Sequence, residues 1–539
     1  MYVLRPHNAA TERPAMLMGI DIGTSGTKGV VVSDDGHLRA ASTASYDFAR
    51  PAPGWTEQAP NDWWIAARSV IRALLAHAHI APRDIRGIGL SGQMHGAVLL
   101  DTDALVGARD REIHAARPAL LWNDQRTAPF LQEIETAAGG KARLIRMSGN
   151  AALAGFTLPK LFWIRHHEPE LFNRIRCVMN PKDFIRLQLT GIAATDVGDA
   201  SGTLLFDVDR RTWCPDLIRN MNIDPALLPD ALESAAPAGG ITPWAAHETG
   251  LIADTIVVAG SGDNMCGAIG AGVVDPGVVL ATLGTSGVIY AHAEHLRRDL
   301  PEDAAIIEPS RIGRIHTMCA ADGTARSAGA WCTTGCMLSA GGSLRWARDT
   351  LAPAMTFSEV TALAETIAPG AEGLLFLPHL TGERCPYPDP AARGAWIGLT
   401  ARHTTSHMFR AVLEGVANTL AGILEIVRAL PVDVQRVRIG GGGGESPLWR
   451  QILADSFRLP IDVMRASEGP AFGAALLAGV GTDLYPSIAE ACRATLSVQG
   501  THEPGSASGL YAHHRAYLEA AYVALQPLNE SMQAEVRNR

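Results

Sequence analysis

The alternation of apolar and polar positions divides the chain into strands and helices. Leu17–Gly23 is an apolar run that ends in the small polar turn Gly23-Thr-Ser-Gly26, and Gly29–Ser33 resumes it, which predicts a hairpin. Asp35-Gly36 marks the next turn. Trp64, Ala67, Ile71, Leu74, Leu75 and Ala78 recur at helical spacing, with Asn61 and Asp62 as candidate caps. Ile85–Leu90 is a short strand that delivers Ser91-Gly-Gln-Met-His-Gly96, and the polar, irregular residues 102–117 predict a surface loop. Farther on, Thr255–Ala259 reads as a buried strand leading into Gly260-Ser-Gly-Asp-Asn264. Gly277–Leu283 and Val288–Ala291 flank a second Gly-Thr-Ser-Gly turn. Phe409, Val412, Val416, Leu420, Ile423, Val427 and Leu430 form one stripe of a long helix. The strand Val434–Ile439 then runs into five glycines, after which Ser446 and Pro447 predict the cap and first residue of a helix. Strands mixed with helices place the chain in the α/β class.

The two Gly-Thr-Ser-Gly turns, at 23–26 and 284–287, lie 261 residues apart, close to half of the 539-residue chain, each between apolar strands. Two similar halves explain the repeat, with a boundary near residue 260. The alternative is chance recurrence of a common turn. The length by itself allows two to four domains.

Composition narrows the class of partner. Hydrophobic residues make up 47% and charged residues 19%, which excludes global disorder. The net charge of −9, without a long Lys/Arg run, disfavours nucleic-acid binding and points to a small molecule. The eight cysteines form no CxxC and are far too sparse for a disulfide scaffold, so reduced thiols and a cytoplasmic location are expected. Cys332 and Cys336, the only close pair, read as structural residues that share a helix face. The apolar runs are too short to span a bilayer. Residues 1–15 show no apolar signal-peptide core.

Five segments can carry chemistry. In the first turn, Gly23, Thr24 and Ser25 offer backbone N–H and hydroxyl donors to phosphate oxygens, with Lys28 just beyond. Asp21 stands before it as a carboxylate for hydrated Mg²⁺. Gly284, Thr285 and Ser286 repeat the donors, but Thr282 replaces the acid, so the metal chemistry belongs to Asp21. Asp263, at a glycine-flanked strand end, suits a general base that accepts a hydroxyl proton during phosphoryl transfer, and Asn264 suits a substrate hydroxyl. The plainer reading of Asp263 is a helix cap. Gln93 and His95 suit a polyol, and Met94 supplies an adaptable apolar wall, although a lone His is more often structural. Gly440, Gly441, Gly442, Gly443 and Gly444 let the backbone approach the adenosine and α-phosphate of a nucleotide.

Together these segments resemble the FGGY family of carbohydrate kinases, and the likeness runs from residue 17 to about 525. It includes Leu121-Trp-Asn-Asp124, Gly155–Leu161, Pro181-Lys-Asp-Phe184 and Gly382-Glu-Arg384. The segment Gly394–Glu414 fits the family's C-terminal signature. The resemblance implies two RNase H-like domains of the actin/hexokinase type with an active site in the cleft between them. It divides the chain into a loose N-terminal tail (1–16), an N-terminal domain (17–259), a C-terminal domain (260–525) and a C-terminal tail (526–539). It also implies ATP and Mg²⁺ as cofactors, Asp263 as base, Asp21 at the metal, and a homodimer as a family-level expectation. The segment Gln93-Met-His-Gly96 resembles the substrate motif of the xylulose-phosphorylating members, which implies that Met94 and His95 contact a ketose and that D-xylulose becomes D-xylulose 5-phosphate. Ribulose, arabinitol or gluconate as substrate, and a catalytically silent sugar-binding regulator, remain the alternatives. The 102–117 loop is longer than in similar chains.

Overall fold

The computed structural model describes residues 15–77, 79–300, 312–465 and 469–537, so the N-terminal tail and Ala78 lie outside the described residues apart from Ala15 and Met16. Two mixed seven-stranded sheets organise the rest. The first contains β1 (Met16–Ile22), β2 (Gly26–Ser33), β3 (Leu38–Ser45), β4 (Ile85–Gly92), β5 (Pro237–Gly240), β6 (Ile256–Val258) and β7 (Ser261–Gly262). The second contains β8 (Gly277–Leu283), β9 (Gly287–Ala293), β10 (His316–Cys319), β11 (Trp331–Met337), β12 (Val434–Gly440), β13 (Ile461–Met464) and β14 (Val498–His502).

The sheets share one plan. The β1–β2 hairpin adds β3 antiparallel on one side and β4 then β6 parallel on the other. The β8–β9 hairpin adds β11 antiparallel and β12 then β13 parallel. The sequence repeat is therefore the same hairpin turn used twice. Cys332 and Cys336 lie in β11, on a strand rather than a helix, because this segment is paired along its length with β9. All eight cysteines are free thiols.

Helices follow where the apolar spacing put them, with corrected ends. The first, α1 (Pro60–Leu75), starts at Pro60 behind Ala59, and no side chain caps it. Proline's fixed φ suits the first helical position, so the helix begins before Asn61 and Asp62. The Asn61 amide instead donates to the Ile113 carbonyl at 3.2 Å. That contact and the two bonds between Gln188 and the Ile113 backbone pin the 102–117 segment, which holds one helical turn over Thr102–Leu105. Next come α2 (Thr157–His167), α3 (Pro181–Thr190), α4 (Val197–Ser201), α5 (Asp263–Gly270), α6 (Gly341–Leu351), α7 (Thr405–Ala429), α8 (Pro447–Phe457), α9 (Pro470–Gly481) and α10 (Ser508–Arg537). The long stripe became α7, and Ser446 caps α8 by accepting from the Trp449 N–H, as the sequence indicated. Residues 526–537, set apart as a tail, continue α10.

Helix α9 interlocks the halves. It comes late in the chain yet lies on β1 and β4 of the first sheet. A Cβ added at Gly19 or Gly89 would sit 1.8 Å from the Ala471 or Ala474 carbonyl, so only glycine permits this backbone approach. Residues Ala471–Val480 are buried all round, as expected of a helix with no polar face. Burying Leu476 and Leu477 contributes roughly 1.5–3 kcal/mol each.

Candidate active site

The first sheet gathers its chemistry at adjacent strand ends. In the register of β1, β4 and β7, Asp21, Ser91 and Ser261 lie side by side. The Ser91 hydroxyl donates to Asp21 at 2.8 Å. Burial pushes the Asp21 carboxyl up to about 6, against the opposing pull of Ser91 and Lys28. Where β7 ends, Asp263 opens α5 behind Gly262, and the Asp263 and Asn264 N–H groups bond its carboxylate. Burial, and then the charge of Asp21, outweigh those bonds and raise Asp263 to about 7. A base poised near neutrality is what hydroxyl deprotonation needs. The cap reading does not hold: Gly262 occupies the N-cap position, no side chain caps α5, and Asp263 is its first helical residue.

Beside Asp263, Gly262 lets the Met94 side chain pack closely, since an added Cβ would stand 2.5 Å from it. The Asn264 amide approaches the Met94 sulfur at 3.7 Å. His95 has a left-handed backbone, φ 67°. Its carbonyl accepts from Lys160 at 2.5 Å, and its Nδ1 lies 3.1 Å from the Gly202 carbonyl. A carbonyl only accepts, so Nδ1 carries the proton and Nε2 is left as an acceptor. Burial holds the imidazole well below its usual pKa, helped by the nearby charges of Lys160 and Arg384, so the ring is neutral.

Gln93 sits among different partners. Its amide accepts from Thr24 at 3.2 Å and donates to Gln58 at 3.0 Å and to the Gly23 carbonyl. Gln58 in turn donates to the Thr24 carbonyl, the Trp122 indole to the Thr24 hydroxyl and the Tyr46 hydroxyl to the Gly23 carbonyl. Gln93 therefore braces the first turn, while Ser25 at its tip is exposed. The sequence pattern did not reveal Gln58 and Tyr46, which sit on other elements and lack a local motif.

A buried charge cluster supports these strand ends. Lys182 of α3 contacts Asp183 at 2.6 Å, Asp196 at 2.9 Å and Asp199 at 3.0 Å, and Arg186 contacts Asp183 at 3.1 Å. Asp196 also accepts from Ser261 of β7 and from Ser234, both at 2.8 Å.

The second sheet forms a matching surface. The carbonyls of Gly284 and Thr285 accept from the N–H groups of Ala340, Gly341 and Gly342 at the start of α6. The Ser286 hydroxyl bonds the Cys336 thiol. Gly440 pairs with Thr282 across β12 and β8. Gly441, at φ 79°, and Gly443 lie so close to Leu283 that added Cβ atoms would stand 2.7 Å from it. The glycine run is therefore packed against the strand that ends in the second turn. Gly442 faces open space and Gly444 packs on Ile439.

Models of the FGGY family of carbohydrate kinases match this chain over residues 16–270 (N-terminal domain) and 279–482 (C-terminal domain). The chain belongs to the FGGY family of carbohydrate kinases. Named FGGY relatives agree along nearly the whole length. The xylulose kinase of Escherichia coli (strain K12) is 36% identical over 515 residues, 95% of this chain and 100% of its own. That of Bacillus subtilis (strain 168) is 36% identical over 474 residues, 88% of this chain and 90% of its own. The crystal structure of the xylulose kinase from Rhodospirillum rubrum superposes with a TM-score of 0.83 at 28% identity, covering 96% of this chain and 100% of that one. As an FGGY kinase, the chain uses ATP. Among the described residues, no helix is long and apolar enough to cross a membrane.

Proposed function

We propose that this chain transfers the γ-phosphoryl group of ATP to the 5-hydroxyl of D-xylulose, in the cytoplasm. The observation that carries the reading is the position of Asp263, a half-buried carboxyl raised to about 7, next to the Met94–His95 wall and the Asp21 carboxylate. Relatives of more than 30% identity that are named xylulose kinases support the choice of sugar. In this reading the half built on the first sheet holds the sugar, the first turn and the base, since Asp263 follows β7 directly, and the half built on the second sheet supplies the second turn and the adenosine loop.

Asp263 accepts the hydroxyl proton while the sugar oxygen forms its bond to the γ-phosphorus and the bond to the β-phosphate oxygen breaks, releasing ADP. Neutral His95 accepts from a sugar hydroxyl through Nε2, and Asn264 orients the ketose. Thr24, Ser25 and Lys28 face the phosphates from one side and Gly284, Thr285 and Ser286 from the other. Asp21 suits Mg²⁺. It is an ionisable oxygen donor beside a second carboxyl, and among the described residues no group of three or more His, Cys, Asp or Glu side chains competes as a metal cage. Mg²⁺ characteristically takes one or two carboxylates plus nucleotide phosphates. When bound it neutralises charge on the transferring group.

An ADP-release assay across D-xylulose, D-ribulose, D-arabinitol and gluconate tests the reading. The highest kcat/KM is expected with D-xylulose. Preference for another sugar overturns the substrate, and no ADP release with any of them favours a silent sugar-binding regulator.

A further inference from the structure

His316 comes from β10, at the edge of the second sheet, but it sits against the first half of the chain. The two halves are tied at this strand. The Asn150 amide donates to the Thr317 carbonyl at 2.9 Å, the Thr317 N–H donates back at 3.2 Å, and the Cys319 N–H donates to Ser201 at 3.1 Å. The His316 ring lies 5.3 Å from Phe156, which lies 4.4 Å from His95, so three rings run from the second half into the sugar wall. His316 is only 5% exposed, and among the described residues neither ring nitrogen meets a hydrogen-bond partner. Buried polar atoms are nearly always paired, so an imidazole with two idle nitrogens beside a polyol site calls for a ligand.

We infer that His316 is a ketose-binding residue supplied by the second half of the chain, hydrogen-bonding a sugar hydroxyl that is not the one phosphorylated. The inference rests on the reading of the site as a sugar site, although not on which sugar it takes. Burial first, then the charge of Arg384, lowers the His316 pKa to about 3, so the ring offers one donor and one acceptor near neutrality. A neutral donor–acceptor pair matches a hydroxyl. A sugar held by His95 on one side and His316 on the other would bridge the two halves, coupling sugar binding to their approach.

The test is a cycle of enzyme and substrate variants on the full chain. His316→Phe keeps an aromatic ring and removes both nitrogens, and His316→Asn serves if the first variant fails to fold by circular dichroism. The sugar that the wild type turns over fastest is compared with its monodeoxy analogues, each lacking one non-transferred hydroxyl. His316→Phe is expected to lower kcat/KM for the parent sugar roughly tenfold, with the KM for ATP unchanged. For one analogue, wild type and variant should coincide, because the lost hydroxyl and the lost imidazole are the two ends of one bond. An equal loss across all analogues, or no loss with the parent sugar, overturns the inference. A parent sugar other than D-xylulose overturns only the substrate reading, because the same cycle run on that sugar still tests His316.

Discussion

Asp263 keeps its proton up to about pH 7 because burial disfavours its charged form and because the Asp21 carboxylate stands beside it. Its folded pKa lies above the unfolded value of 3.8, so between about pH 4 and 7 the folded state binds more protons than the unfolded one. This contribution to stability is present at low pH and lost as the pH rises through 7. Asp263→Asn should make that decline smaller, leaving the contributions of Asp21, whose pKa is about 6, and of the buried Asp199, also raised. Denaturant midpoints measured from pH 4 to 8 check it: an unchanged slope in the variant would show that Asp263 does not titrate in this window.

On the proposed function the same titration sets the rate. A base must be ionised to accept the hydroxyl proton, so kcat/KM should rise with pH and level off above about 7. Asp263→Asn should lower kcat by a factor on the order of 10²–10⁴ or more while sugar binding persists. Steady-state kinetics with calorimetric titration of the sugar separates the two. A variant that phosphorylates at the wild-type rate would exclude Asp263 as the base.

Much of this site was legible in the sequence because its parts are local. A strand, a small polar turn and a strand specify each Gly-Thr-Ser-Gly turn, and a strand end followed by Gly262 marks Asp263 as the candidate base. The α/β class followed from the apolar spacing alone. What escaped is carried by contacts between distant elements. Gln93 was read with Met94 and His95 because they are neighbours in the chain, but its amide turns to Thr24 and Gln58. His316 lies in an ordinary apolar strand, and only the docking of β10 on Asn150 and Ser201 brings it to Phe156. The path of α9 back across the first sheet depends on Gly19 and Gly89, whose meaning appears only once the helix is in place.

His95 combines a left-handed backbone with a neutral ring. Asn adopts φ near +60° more readily than most residues, so His95→Asn should keep the fold and the melting temperature while removing the imidazole acceptor. The KM for the ketose should rise about tenfold or more, with the KM for ATP unchanged. Kinetics at saturating concentrations of the other substrate decide this, and equal rises in both KM values would mean that His95 shapes the cleft without touching the sugar.

Two neighbouring glycines allow backbone strain and ligand contact to be separated. A methyl group at Gly441 meets the Leu283 backbone at 2.7 Å and imposes a positive φ on alanine, so Gly441→Ala should push the loop off the second turn, lowering the melting temperature and raising the KM for ATP. At Gly442 the methyl meets no protein atom within 4 Å, so Gly442→Ala should leave the melting temperature alone. Any rise in the KM for ATP there reports contact with the nucleotide. Thermal melts and ATP titrations of both variants check the pair, and identical behaviour would separate the glycine run from the adenosine site.

The cluster under the strand ends makes a sharper demand. Lys182 and Arg186 face three buried carboxyls, and burial drives Asp199 well above the usual carboxylate range, with Asp196 and Asp183 adding to the rise. Asp183 is held below that range by Lys182 and Arg186 in spite of its burial. Asp199 is thus the carboxyl of this cluster that holds a proton most readily. Asp199→Asn should therefore change stability by less than about 1 kcal/mol, since amide and protonated acid are close in shape and charge. Lys182→Met leaves the carboxylates without their shared cation and should cost about 3–5 kcal/mol. Because Asp196 holds Ser261 two residues before Asp263, the Lys182 variant should also lower kcat more than either KM. Urea unfolding of both variants, with kinetics on whatever remains folded, tests the assignment. A severe loss in Asp199→Asn would mean that Asp199 is ionised and that the cluster carries a net negative charge beneath the base.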